Sequence, residues 1–312
     1  MVDGKKTKVA FVLGGGGARG LAHIGVIRVL SEAGIVPDLV VGTSMGAVIG
    51  GMFAQYGDIE TVERKVISYI ESFGVKGKWL GFLGQPHSKN QRDLFRDLTN
   101  YVKKQYVGIK TLTRVSLEEK EILLEPLRAF FRDDIIENCK LPFAAVAVDL
   151  RSGKTEVMTS GPIIESVYAS AAVEGAFPPL ETDGKILADG GPIAIVPVEI
   201  ARNMGAGKVI AVDVSPGIKE EECSTGLEVI LRADTIAQNR LRLIDLSMAD
   251  IVISPRITAV HWANFSRVRY CVRRGELATR ASLDKIMKVI SPLPWWKKIF
   301  SAPVDRREQG FV

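Results

Sequence analysis

An α/β fold built on a mainly parallel sheet is what this chain of 312 residues predicts. Three observations carry that reading. Short apolar runs alternate with helix-length stretches, the runs at 142–149 and 208–215 are rich in valine, and glycine-bearing turns stand where strand gives way to helix. Such alternation packs helices on the faces of a sheet, and strands covered on both faces read as continuous apolar runs.

The first strand is KVAFVL at 8–13, followed by a helix from Leu21 to Ala33. In that helix Leu21, Ile24, Ile27 and Leu30 recur at helical spacing and Val26 and Val29 widen the apolar face, so it is expected to be largely buried. Gly34 ends it, with Pro37 just beyond. A second strand, DLVV at 38–41, leads to a second helix from Met45 to Tyr56. Residues 60–135 read as mostly helical, interrupted by a glycine-rich stretch from Gly74 to Asn90. PFAAVAVD at 142–149 is a buried strand, and the turn Arg151-Ser152-Gly153-Lys154 joins it to a hairpin partner, TEVMT. KVIAVDVS at 208–215 and DIVISP at 250–255 are further strands, and the last 21 residues, with Pro292, Pro294 and Pro303, read as irregular. We expect one domain over 1–290 and a basic tail over 291–312.

With 46% hydrophobic and 25% charged residues the composition is that of a globular protein with a sizeable core. No run reaches the roughly 18 apolar residues of a spanning helix, and the first residues carry charge, so neither a transmembrane segment nor a standard secretion signal is expected. Cys139, Cys223 and Cys271 are odd in number and lack a CxxC pair, which points away from a disulfide framework or a zinc site and towards a reducing, cytoplasmic setting. The net charge of +5 is uneven: residues 261–312 hold eleven Lys and Arg against four Asp and Glu, leaving the rest slightly acidic. Such a tail suits either a solvated face or an anionic partner; a lipid surface is the partner we expect, and nucleic acid is not.

The most specific local feature is Gly42-Thr43-Ser44-Met45-Gly46, directly after a strand and before a helix. A nucleophile elbow needs that placement: a sharp turn exposes the serine hydroxyl, and Gly42 and Gly46 remove side chains that would collide there. The second feature, Gly14-Gly15-Gly16-Gly17-Ala18-Arg19-Gly20, also lies between strand and helix. Its amide N–H groups and the following helix N-terminus suit an anion or a developing oxyanion. Gly15 to Gly20 also fits the G-x-G-x-x-G of a dinucleotide site, with Asp38 eighteen residues on. Asp38 precedes its strand, however, and is expected at the wrong end of the sheet to reach a ribose.

A serine nucleophile needs a base. Of three histidines, His23 sits in the first helix where packing or capping suffices, His87 lies in the Gly/Pro segment, and only His261 has the chain position for a Ser, Asp, His order. The other candidate is Asp189 in Leu187-Ala188-Asp189-Gly190-Gly191-Pro192, where two glycines mark a turn that lets the carboxylate approach another backbone; Asp149 and Asp213 lack this context.

Taken in order, GGGGARG, GTSMG and DGG resemble the patatin-like phospholipase family, particularly its bacterial members and the neuropathy target esterase catalytic domain. LAHIGVIRVLSEAG, the PFAAVAVDLRSGK region, YASAAVEGAFPPL and KVIAVDVS extend the likeness over about residues 8–215. The resemblance implies a three-layer α/β/α patatin-like fold and a Ser-Asp dyad without histidine or cofactor. It implies Ser44 as nucleophile, Asp189 as base, and Gly15, Gly16 and Gly17 as the oxyanion loop. Arg19, Gly20, Gly42, Gly46, Gly190 and Gly191 match motif positions in support. Two departures stand out: Glu174 where many members have proline, and Pro192 to Val196 where asparagines often follow DGG.

The implied activity is hydrolysis of carboxylic esters of lipids through an acyl-enzyme. Trp79, Leu80, Phe82 and Leu83 are candidates for a lid or anchor, and Trp295-Trp296-Lys297-Lys298-Ile299-Phe300 for peripheral contact with anionic membrane. Two other classes stay open: a non-catalytic adaptor on the same fold, and a nucleotide-binding module using the glycine loop alone.

Overall fold

In the computed structural model, residues 7–74 and 115–290 are described. The valine-rich runs form the centre of an eight-stranded sheet: β1 (Val9–Leu13), β2 (Leu39–Thr43), β3 (Phe143–Asp149) and β7 (Lys208–Val212) are buried almost throughout. β1 pairs in parallel with β2 and β7, β2 with β3, and β7 with β8 (Ile251–Ile253). The other three pairings are antiparallel: β3 with β4 (Thr155–Met158), β3 with β6 (Lys185–Asp189), and β6 with β5 (Leu180–Thr182). The sheet is therefore mixed but largely parallel.

Register around β3 sets the site. Ala145 pairs with both Gly42 and Met158, and Ala147 with both Glu156 and Asp189. A strand has only two edges, so β4 occupies one and β2 and β6 share the other, end to end. Thr43 faces Val146 while Asp189 faces the next residue, Ala147. The antiparallel β6 thus delivers Asp189 to the point where β2 gives way to Ser44.

Alternating strand residues feed two cores. Phe11, Leu13, Val40, Ala145, Ala147 and Val212 pack with α1 (Ala22–Glu32), α2 (Met45–Tyr56), α3 (Ile59–Gly74), α4 (Lys120–Phe130) and α5 (Ile163–Ala171). Ala10, Val12, Val41, Ala144, Val146, Val209 and Ala211 pack on the other face with α6 (Gly191–Ala194), α7 (Val198–Asn203) and the end of α8 (Gly226–Ser247). A long closing helix, α9 (Val268–Ile290), lies across α1. Helices on both faces make three layers, as expected.

The first helix begins later than its apolar spacing implies, because Gly17–Leu21 forms a 3-10 turn before α1 starts at Ala22. Its interior is buried from Ala22 to Ile27. Among the described residues no helix is long and apolar enough to cross a membrane. The stretches 79–83, 291–312 and most of the glycine-rich segment lie outside the described residues.

Candidate active site

Ser44 is the single residue between β2 and α2, at φ 55° and ψ −124°. A side chain in that region costs about 1–3 kcal/mol and persists only where its surroundings impose it. Here they do. The Ser44 N–H donates to Ser170 Oγ at 3.0 Å, and the Ser170 hydroxyl in turn donates to the Val146 carbonyl at 2.6 Å. Thr43 Oγ1 donates to the Ala194 carbonyl at 2.7 Å. Behind the turn, Gly46 lies against β1 so closely that a Cβ would stand 1.9 Å from the Leu13 carbonyl oxygen, and one on Gly42 would stand 2.4 Å from that of Gly46. The strand-to-helix turn can be this tight because both positions lack a side chain.

Asp189, the last residue of β6, is 4% exposed. Its N–H donates to the Ala172 carbonyl at 3.0 Å, and its Oδ1 accepts from the Gly191 N–H at 2.8 Å. Burial pushes its carboxyl up to about 6, against the opposing pull of the nearby Ser44 side chain and of the Gly191 amide. A carboxylate raised in this way is a stronger base than a solvated one, and it stands beside a hydroxyl. Gly190 backs onto the Val146 carbonyl. Glu174, the departure noted in the sequence, has its carboxyl raised too, by desolvation first and then by the Asp189 charge, although solvent still reaches the side chain.

The glycine loop runs from the end of β1 past the serine, with a Cβ on Gly15 standing 3.2 Å from the Ser44 Cβ. The Gly14 N–H donates to Val212 O at 3.0 Å, that of Gly15 to Ile195 O at 2.8 Å and that of Ala18 to Trp262 O at 2.6 Å. The Gly15 amide is therefore committed to the backbone. Among the described residues, the N–H groups of Gly16 and Gly17 have no protein acceptor. Gly17 adopts φ +55°, where a larger residue would be strained. Gly20 packs against Met45. Arg19 Nε donates to the Gly16 carbonyl at 3.3 Å; its guanidinium is shifted down by desolvation, opposed by the Asp213 charge. A cavity of about 230 Å³ opens beside the loop, walled by Gly15, Gly16, Arg19 and Ile195 and by Gln238 and Arg242 of α8. A second cavity, about 480 Å³, is walled by α4 and α5 residues and includes neither Ser44 nor Asp189.

The competing residues are engaged in other contacts. Asp149 accepts from Ser152 Oγ and the Ile186 N–H; chiefly through the Ser152 bond its carboxyl is held down to about 2. Asp213 is ion-paired with Arg242. His261 is exposed, and its Nδ1 accepts from the Ala263 N–H at 3.3 Å within its own loop. His87 lies outside the described residues. Asp38 accepts from the Val9 N–H at 2.9 Å, at the amino end of β1 and so at the opposite end of the sheet from the glycine loop. The dinucleotide fingerprint therefore lacks its acidic partner. Ser170 and the Ile195 carbonyl carry no signal in the sequence: Ser170 lies within YASAAVEGAFPPL, but nothing in its spacing assigns it to the elbow.

A family model described as patatin-like phospholipase matches residues 11–202. A Caenorhabditis elegans protein, patatin-like phospholipase domain-containing protein ZK370.4, is 34% identical over 208 residues, which is 66% of this chain and 13% of that one. Human patatin-like phospholipase domain-containing protein 6 matches at the same identity and coverage, and the Drosophila melanogaster neuropathy target esterase sws at 30%. The aligned segment thus spans about an eighth of these relatives. Among solved structures, VipD from Legionella pneumophila overlays with a TM-score of 0.45 at 17% identity, covering 90% of this chain and 67% of that one.

Proposed function

The chain belongs to the patatin-like phospholipase family, and from that premise we propose that it is a serine acyl hydrolase acting on carboxylic esters of lipids. Ser44 is its nucleophile and Asp189 its base. The observation that carries the reading is the strained Ser44 turn abutting a desolvated Asp189, with two unclaimed loop amides alongside.

In the first step Asp189 accepts the Ser44 hydroxyl proton while Oγ bonds to the ester carbonyl carbon, and the carbonyl electron pair moves to oxygen. The Gly16 and Gly17 amides stabilise that oxyanion; one such donor contributes about 3–4 kcal/mol to an acyl-transfer transition state. Gly15 serves by allowing close approach to Ser44. Collapse breaks the ester C–O bond, and the departing alcohol takes the proton from Asp189. Water then attacks the acyl-enzyme as Asp189 removes its proton, and the carboxylic acid leaves as Ser44 regains its own. Burial supports this role for Asp189, since a base nearer the working pH transfers protons more effectively.

Presentation of the lipid by a membrane surface, with the basic 291–312 stretch in contact with anionic lipid, belongs to the same proposal. A panel of phospholipids, lysophospholipids and acylglycerols, resolved by released chain, tests the reading with wild type, Ser44→Ala and Asp189→Asn. Turnover by wild type alone supports it. Equal turnover by Ser44→Ala contradicts it.

A further inference from the structure

His23 stands one turn beyond the glycine loop, fully buried in α1, and its Nε2 lies 2.8 Å from the Gly14 carbonyl oxygen. The same peptide unit is held from its other end, where the Gly15 N–H donates to Ile195 O at 2.8 Å. A peptide is planar, so bonds to both of its polar ends fix the rotation of the whole unit. The next amide along the chain is that of Gly16, the first open donor after the glycine that meets Ser44. On this geometry we propose that His23 is a positioning residue: with the Ile195 carbonyl it clamps the Gly14–Gly15 peptide and so aims the Gly16 and Gly17 amides at the oxyanion. The inference rests on the hydrolase reading above and adds a residue to it.

Several features support the clamp over simple packing. Because Gly14 offers only a carbonyl oxygen, Nε2 must carry the proton, which fixes the tautomer. His23 Nδ1 is then a buried acceptor, and among the described residues it has no partner. A core position filled for volume alone does better with an apolar ring, because a buried polar atom without a partner is destabilising. Burial also holds the imidazole down to about 4, so it is neutral wherever Asp189 is ionised. The ring edge, Cδ2, lies 3.5 Å from where a Cβ on Gly20 would stand, which places it directly beneath the loop.

His23→Phe keeps the ring and removes the donor; His23→Gln restores an N–H in a different shape. Displacing a catalytic group by about 1 Å costs on the order of 100-fold in rate. For His23→Phe we expect kcat to fall about 10- to 100-fold with KM within two-fold, and the rate of fluorophosphonate labelling at Ser44 to fall in parallel. His23→Gln should recover part of both. The acidic limb of the pH–rate profile should stay where it is in wild type, because Asp189 is untouched. A His23→Phe enzyme within two-fold of wild type overturns the proposal, as does a loss carried by KM alone or a shifted acidic limb. The clamp is also readable without turnover, from the ¹⁵N shifts of His23 in the full chain. A protonated Nε2 and an unprotonated Nδ1 from pH 6 to 8 are expected, and the opposite tautomer overturns the clamp. If Ser44→Ala retains full turnover while His23 shows the expected tautomer, the hydrolase reading has failed and the peptide clamp has not.

Discussion

Asp189→Asn should make the protein more stable at neutral pH while removing its activity. Below pH 3.8 the aspartate is protonated in both folded and unfolded chains and contributes nothing. Between 3.8 and about 6 the folded protein keeps a proton that the unfolded chain has released, so stability falls as pH rises through that window. Above about 6 both states are ionised and the full penalty persists. At about 1.4 kcal/mol per pH unit, the gap sets a ceiling of about 3 kcal/mol on what the buried charge costs. Asparagine keeps an oxygen for the Gly191 amide, carries no charge and relieves the neighbouring Glu174 carboxyl. Urea unfolding of wild type and variant from pH 4 to pH 8 is the assay. The stability difference should be near zero at pH 4, grow in favour of the variant up to about pH 6, and then stay at about 1–3 kcal/mol. A variant less stable at pH 8, or a difference that ignores pH, would show that the buried Asp189 charge carries no such penalty.

Other perturbations test the frame around Ser44 and Asp189. Gly46→Ala should destabilise by more than about 3 kcal/mol or prevent folding, because its Cβ meets the Leu13 backbone at 1.9 Å, which thermal unfolding reads directly. His261→Ala should leave kcat within about two-fold, since the exposed ring finds its hydrogen-bond partner within its own loop; steady-state kinetics would show a large loss if the histidine were the base. Arg242→Met should cost about 3–5 kcal/mol by leaving Asp213 buried without its ion-pair partner, and Asp213→Asn in the same chain should recover part of that in a double-mutant cycle.

What the sequence made legible follows from how local each signal is. The valine runs and the glycine turns after them declare β1, β2, β3 and β7 because a strand buried on both faces needs no distant partner to look like one. Ser44 was legible for the same reason, since an elbow is a five-residue affair. Asp189 was harder: its own neighbourhood is a common turn, and only the antiparallel entry of β6 onto the edge that β3 shares with β2 brings it to the serine. That register is a tertiary fact. Ser170 and the Ile195 carbonyl were invisible because one is an ordinary helix serine and the other acts through its backbone. The commitment of the Gly15 amide could not be read either, because a run of glycines does not say which N–H turns inward. α8 was harder to read because its apolar residues, Leu227, Ile230, Leu231 and Leu241 among them, are largely exposed and trace no buried stripe.

The central claim, that Ser44 is an activated nucleophile, is tested most directly by mass spectrometry after treatment with a fluorophosphonate. One covalent adduct is expected on the peptide carrying Ser44, formed slowly in Asp189→Asn and absent in Ser44→Ala. An unmodified wild-type protein, or an adduct on any other residue, contradicts it.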